Sequence, residues 1–315
     1  MSNARELELS RLEREELQHK RPVLEARAKI MAGTRRFFEE HGFLAVETPV
    51  RIPVAALEDY IEAEPSGNCW LRTSPEFHLK RVLAAGYERI YQLGPCFRPG
   101  ERGRRHNPEF TMLEWYRCES DWRQLMADMT ELVNVLATEC LGGQLADFRG
   151  QRLDLTPPWP EMTVEEAFRR YANANVDECC ADGSFEQILV ERVEPNLGLE
   201  KPLFLTEYPL ACSGLSRAFP DRPNRVERWE LYVSGMELAN ACTELTDAVE
   251  QERRFDASTE LRRREGRPLY GVDRPFLSAM QLGMPVCAGT AVGMDRLVML
   301  LTNSDEISQV IAFPE

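Results

Sequence analysis

The chain has 315 residues, 43% of them hydrophobic, and a formal net charge of −14 at pH 7. That length can bury a sizeable core as one large domain or two ordinary ones. No apolar run reaches the roughly 18 residues of a membrane span, and the charged N-terminus MSNARELELSRLEREELQHKRP lacks the apolar segment of a secretory signal, so a membrane is excluded and the cytoplasm expected.

Residues 3–20 read as a charged helix, broken at Pro22, and residues 23–41 as a second helix with Ala26, Ile30, Thr34 and Phe37 near helical spacing. Gly42 is a C-terminal cap, and 43–49 a short strand ended by Pro49. Ser74-Pro75 pairs a capping residue with proline at the first helical position, so a helix is predicted from there to about Ala85, stopped by Gly86. Strands are predicted over 89–98 and 109–117, joined by the loop PGERGRRHNP into a hairpin with a long basic tip. An amphipathic helix follows over 121–140. Residues 142–225 carry few readable signals beyond a helical piece near 163–173. Strand-turn-strand returns over 226–244 with Ser234-Gly235 at the turn, then a charged helix over about 246–265. Gly289–Gly293 reads as a glycine-alternating strand and Met294–Leu301 as an apolar helix. Antiparallel pairs interspersed with helices predict an α+β fold, an antiparallel sheet flanked by helices. GxGxxG and GxxxxGK[ST] patterns are missing, which disfavours Rossmann and P-loop nucleotide sites. The nine cysteines have no Cys-x-x-Cys spacing and read as reduced, mostly core residues, not as a zinc site.

Three constellations carry chemistry. The hairpin tip holds Arg98, Arg102, Arg104, Arg105 and His106, a concentration of cations that asks for an anion, since arginine forks match phosphate oxygens. Surface ion pairs would explain the loop equally well on charge alone. The next strand tips the balance. Period-two alternation puts Phe110, Met112, Glu114 and Tyr116 on one face, and an aromatic beside a phosphate loop can stack on a base. In ELYVSGMELANACTEL, Glu230 and Glu237 flank the turn, and Asn240, Cys242 and Glu244 share a face. Two carboxylates near polyphosphate suit Mg²⁺; an exposed polar face is the plainer alternative. In GTAVGMDRLVMLL, Gly289, Ala291 and Gly293 line a strand face almost without side chains, either for a ligand's approach or for tight packing, and Arg296 follows at the helix start.

Taken together, these segments resemble the class II aminoacyl-tRNA synthetases. The hairpin is similar to their motif 2, the glycine strand and helix to motif 3, and the helix and strand ending at Pro49 to motif 1. RHNPEFTMLEWY and ELANACTELTDA resemble the lysyl branch. The resemblance implies a class II catalytic fold over 22–315, with 1–21 as a helical extension. It implies ATP and Mg²⁺ as cofactors, with Arg98 and Arg296 as catalytic arginines. Arg98 would reach the α-phosphate and the substrate carboxylate; Arg105, His106 and Arg296 the γ-phosphate; Phe110 would stack on adenine. Gly100, Asn107, Leu238 and Gly293 complete the expected nucleotide site, and Glu230 and Glu237 the metal carboxylates. Glu114, Tyr116 and Glu244 would hold a lysine ammonium, Ser74 and Glu76 the other substrate amine, and Asn240 the carboxylate. Two buried glutamates are costly without a cation, and a lysine-type substrate supplies one.

The chain departs from lysyl-tRNA synthetases in three places. Only about 20 residues precede motif 1, too few for an anticodon-reading five-stranded OB domain. Ala291 stands where that family has glycine, and Cys242 where it has an aromatic. These departures resemble the short synthetase paralogues that are elongation factor P β-lysine ligases. That resemblance implies adenylation of (R)-β-lysine and transfer to a lysine ε-amine of elongation factor P, with a homodimer formed through motif 1. tRNA is not the expected acceptor, in keeping with the acidic net charge, which argues against a nucleic-acid partner. The competing expectations are a truncated synthetase that charges tRNA, a non-catalytic synthetase-like regulator, and an amidoligase related to asparagine synthetases.

Overall fold

The computed structural model describes residues 2–315, with side chains from residue 6. Its first element corrects the sequence reading. Helix α1 runs unbroken from Ser2 to Glu40 with Pro22 inside it. A proline in a helix interior forfeits one hydrogen bond and costs about 3 kcal/mol. Anchors on both sides keep one helix axis: Lys20 Nζ donates to the Ile311 carbonyl at 3.3 Å, and Arg27 pairs with Asp295 at 2.6 Å. Beyond the proline, Ile30, Phe37 and Phe38 are buried. Gly42, at φ +73°, ends the turn as expected.

Strand β1 (Leu44–Ala45) follows, then a small sheet of β2 (Arg51–Ile52), β3 (Pro65–Ser66) and β4 (Cys69–Leu71) in the order β2-β4-β3. Helix α2 spans Glu76–Ala84. It begins one residue after the predicted start because Pro75 lies at ψ 0°, outside the helix, but the Ser74 hydroxyl still accepts the Glu76 N–H at 2.9 Å. The hairpin is β5 (Arg89–Phe97) and β6 (Glu109–Cys118). Helix α3 (Trp122–Leu141) is capped by the Asp121 carboxylate and closed by Gly142 at φ +73°. Strands β7 (Leu145–Phe148) and β8 (Gln151–Asp154) pair with each other.

The segment that was hard to read contains β9 (Glu161–Thr163), α4 (Val164–Ala167), a π-helical turn over Phe168–Ala172, α5 (Val176–Asp182), α6 (Phe185–Ile188) and β10 (Leu203–Thr206). These pieces share their own core of Val164, Phe168, Phe185, Leu189, Tyr208 and Tyr232. The rest is β11 (Arg228–Val233), β12 (Met236–Thr243), α7 (Ala248–Arg264), α8 (Arg274–Gly283), β13 (Cys287–Gly293) and α9 (Met294–Leu301). Helix α8 has no counterpart in the sequence reading.

The fold is α+β. The main sheet has the order β1-β5-β6-β13-β12-β11-β10-β9. Its six central strands are antiparallel, and each edge strand pairs parallel with its neighbour. Alternation gives the sheet two different faces. Leu113, Trp115, Trp229, Leu231, Ala239, Ala241, Ala288 and Val292 point into the large core with α1, α3 and α9. The opposite face carries the polar residues. Three of the nine free cysteines are buried and six half-buried, so they are less uniformly core residues than the sequence implied. Among the described residues no helix is long and apolar enough to cross a membrane.

Candidate active site

Strand register assembles the site in rows across the polar face. One row pairs Gln92 with Glu114, Glu114 with Ala291, Ala291 with Asn240, and Asn240 with Glu230. The row beside it runs through Tyr116, Gly289, Cys242 and Arg228. Thus residues from five strands share one surface. A register shift between Leu231 and Tyr232 brings Glu237 opposite Tyr232, onto the face of Glu230. Leu238 is thereby turned into the core, and its side chain does not reach the site.

At one end lies a carboxylate pocket. Glu114 accepts hydrogen bonds from Tyr116 Oη at 2.6 Å and Ser74 Oγ at 2.8 Å. Burial, reinforced by the nearby Glu76, pushes its carboxyl up to about 8. Burial also raises Glu244, to about 7, against the pull of the Lys80 ammonium. Glycine at 289 is a steric requirement, because a Cβ there would lie 2.2 Å from Tyr116 Cε1 and 2.7 Å from Glu244 Oε1. Lys80 was not foreseen. Its Nζ sits 2.5 Å from Glu76 and 2.6 Å from Glu244. The Glu76-Lys80 spacing on a helix is visible in sequence, but nothing local says that the pair is buried.

At the other end the hairpin tip gathers cations. The Arg98 guanidinium lies 5.2 Å from the Phe110 ring centroid, and its Nε is buried without a hydrogen-bond partner among the described residues. Arg105 donates to the Gly235 carbonyl at 2.5 Å; burial, with Arg149 and Arg296 close by, lowers its proton affinity. Arg296 reaches the Glu237 carbonyl at 2.8 Å and carboxylate at 3.3 Å, and its Nη2 is 2.7 Å from His106 Nε2. Arginine can only donate, so that nitrogen accepts and the imidazole is neutral, consistent with burial and Arg296 lowering the pKa of His106. Gly100, at φ +82°, turns the loop. An added Cβ at Gly293 would meet only the Arg296 side chain, at 3.6 Å, which leaves room above the strand. Asn107 is engaged internally: its Nδ2 donates to the Glu109 carbonyl and its Oδ1 accepts the Glu315 N–H. It braces the loop.

Glu230 and Glu237 lie between the two ends. Glu230 accepts from Arg228 at 2.6 Å and Tyr232 at 2.7 Å. Burial and then Glu230 raise the carboxyl of Glu237. Glu194, from the segment without sequence signals, joins them. Burial, Glu237 and Glu230 push it up to about 7. Among the described residues no three His, Cys, Asp or Glu could hold a metal unaided. Mutually repelling carboxylates next to an arginine cluster fit Mg²⁺ delivered with polyphosphate, because that ion takes one or two protein carboxylates and completes its shell with phosphate oxygens and water. The orphaned Arg98 Nε and the crowded arginines fit the polyphosphate itself.

The model of the family described as tRNA synthetases class II (D, K and N) matches residues 6–315. The chain is 39% identical over 304 residues to the elongation factor P–(R)-β-lysine ligase of Histophilus somni, covering 91% of this chain and 93% of that one. The ligase of the same name from Proteus mirabilis is also 39% identical, with the same coverages. Against the lysine–tRNA ligase of Moorella thermoacetica the identity is 36% over 93% of this chain, which spans 65% of that relative's length.

Proposed function

The chain belongs to the class II tRNA synthetases, in the D, K and N branch, and from that membership we propose that it is an ATP-dependent ligase that adenylates (R)-β-lysine and transfers it to a lysine ε-amine of elongation factor P. The observation that carries the reading is the carboxylate pocket, in which Glu114 and Glu244 face a floor of Gly289 and Ala291. A neutral side chain would leave Glu114 without a cation and Glu244 sharing one with Glu76, which is the basis of selection for an ammonium. Ala291 sits in register between Glu114 and Asn240, between the amine and carboxylate ends of the expected substrate. Its methyl, worth about 1–3 kcal/mol in discrimination, supports an amine displaced from the α position.

Arg98 and Asn240 orient the substrate carboxylate, and Glu114, Glu244 and Tyr116 hold the distal ammonium. Arg105 and Arg296 bind the outgoing phosphates, with His106 placed to accept from Arg296. Mg²⁺, held by Glu230 and Glu237, supplies charge withdrawal from phosphate oxygens when bound. The first half-reaction joins the amino acid carboxylate to the α-phosphate and releases pyrophosphate; the second forms the amide and releases AMP. The nine free cysteines support a reducing, cytoplasmic setting.

The similarity to lysine–tRNA ligases favours a second reading, activation of α-lysine for tRNA. ATP–pyrophosphate exchange over α-lysine, (R)-β-lysine, (S)-β-lysine and aspartate separates the two. The expected order puts (R)-β-lysine first, followed by a mass increase of one lysyl group on elongation factor P. Preference for α-lysine together with charging of tRNA would establish the second reading, and exchange with no lysine isomer would remove both.

A further inference from the structure

The carboxylate pocket contains a cation of its own. Lys80 is 1% exposed, and its ammonium is held between Glu76, 2.5 Å away, and Glu244, 2.6 Å away. Glu76 belongs to α2, above the polar face, and Glu244 follows β12, within it. Lys80 is itself on α2, so its contact with Glu244 ties the helix to the sheet across the pocket. Glu114 lies outside this pair, engaged by Tyr116 and Ser74. Three carboxylates face one ammonium, so the pocket lacks two positive charges when all are ionised. A diamino acid brings both.

The arrangement also fixes where those charges can sit. With the Lys80 ammonium between them, Glu76 and Glu244 are each shared between this internal cation and a substrate amine, while Glu114 pairs only with neutral hydroxyls. We propose that Lys80 is a specificity-determining positioning residue: an internal cation, lodged between Glu76 and Glu244, that fixes the spacing the pocket accepts between the two ammonium groups of a diamino acid. The proposal rests on the ligase reading for its substrate class. Lysine isomers of one composition differ in that spacing, with amines on carbons 2 and 6 in α-lysine and on carbons 3 and 6 in β-lysine. A pocket of carboxylates alone attracts both isomers. A fixed ammonium repels the one whose second amine falls too close to it, so discrimination comes from repulsion as well as attraction.

The experiment measures pyrophosphate exchange by the parent chain and by Lys80→Met, a neutral residue of similar length, over α-lysine and both β-lysine enantiomers. In Lys80→Met the ratio of kcat/KM between the best and next-best isomer is expected to fall at least about tenfold, while the KM for ATP changes less than about threefold. The acid limb of kcat/KM against pH is expected to move up by about one unit, because Glu244 loses its cation and holds its proton more tightly. A merely structural lysine would move neither the isomer ratio nor that limb. An unchanged ratio and limb in a folded Lys80→Met protein would overturn this proposal alone. Exchange with no lysine isomer by the parent would overturn the ligase reading and this proposal with it. Melting curves check folding. If Lys80→Met does not fold, Lys80→Gln poses the same question, and failure of both to fold would assign Lys80 to stability and overturn the proposal.

Discussion

Glu114 shows how one side chain turns burial into a binding preference. Its carboxyl is pushed up to about 8 by burial and by Glu76. The folded chain therefore holds a proton on Glu114 that the unfolded chain releases near its ordinary value of 4.5. Stability falls as pH rises through this window, because the native state binds more protons there. Binding an ammonium works in the opposite direction, since it stabilises the carboxylate and expels that proton. Affinity for the lysine-type substrate should rise from pH 6 towards pH 8, with protons released to buffer. Glu114→Gln should lower kcat/KM roughly 10–100-fold, the loss of a charge-assisted hydrogen bond, and remove the upper part of that rise. Calorimetry in buffers of different ionisation enthalpy checks this; a Glu114→Gln protein that keeps the parent's proton release would reject the assignment.

The site is a property of strand faces. Tyr116, Gly289 and Cys242 meet only because β6, β13 and β12 pair in one register. Gly289 is where that register is most exacting. Gly289→Ala would drive a methyl into Tyr116 and Glu244. It is expected to destabilise the chain by about 1–3 kcal/mol, as overpacking does, and to reduce exchange with lysine isomers far more than affinity for ATP. Denaturant melts and nucleotide titration measure the two effects; a Gly289→Ala protein with normal exchange would show that the pocket lies elsewhere. Helix α9 is set in a similar way. Asp295 is buried, paired with Arg27 of α1, and accepts the Thr111 N–H at 2.7 Å, which orients Arg296 beside it towards the hairpin tip.

At the scale of the whole molecule, α1 is long enough to reach past the core. Its N-terminal half exposes Leu7, Leu9 and Leu12, each more than half accessible. A homodimer is proposed on the family's motif 1 interface, and leucines on the same helix support it. Sedimentation at micromolar concentration should then give twice the chain mass of 36.1 kDa; a single species at the chain mass across that range would rule the homodimer out.

Much of this was legible in sequence because its causes are local. Alternation in FTMLEWY placed Glu114 and Tyr116 on one face, a type of turn that favours glycine set the β11–β12 hairpin at Ser234-Gly235, and Asp121 and Gly142 bounded α3. The arginine-rich tip, the paired glutamates and the glycine strand were therefore visible as separate pieces of a site. Their assembly was not, since it depends on contacts between residues far apart in the chain. Pro22 is a helix breaker by itself, and the helix continues through it with Lys20 and Arg27 gripping distant segments on either side and Ile30, Phe37 and Phe38 packed in the core. Glu194 becomes a site carboxylate only when its segment folds against β11 and β12. Leu238 and Glu237 exchange faces at a register shift that alternation alone does not show. Side-chain periodicity and backbone preference act over a few residues, so the regular strand faces, the turns and the kinds of charge at the site can be read locally. Tertiary structure decided which charges meet, and above all that Lys80 is the pocket's own cation, because burial and strand register arise only when distant segments pack.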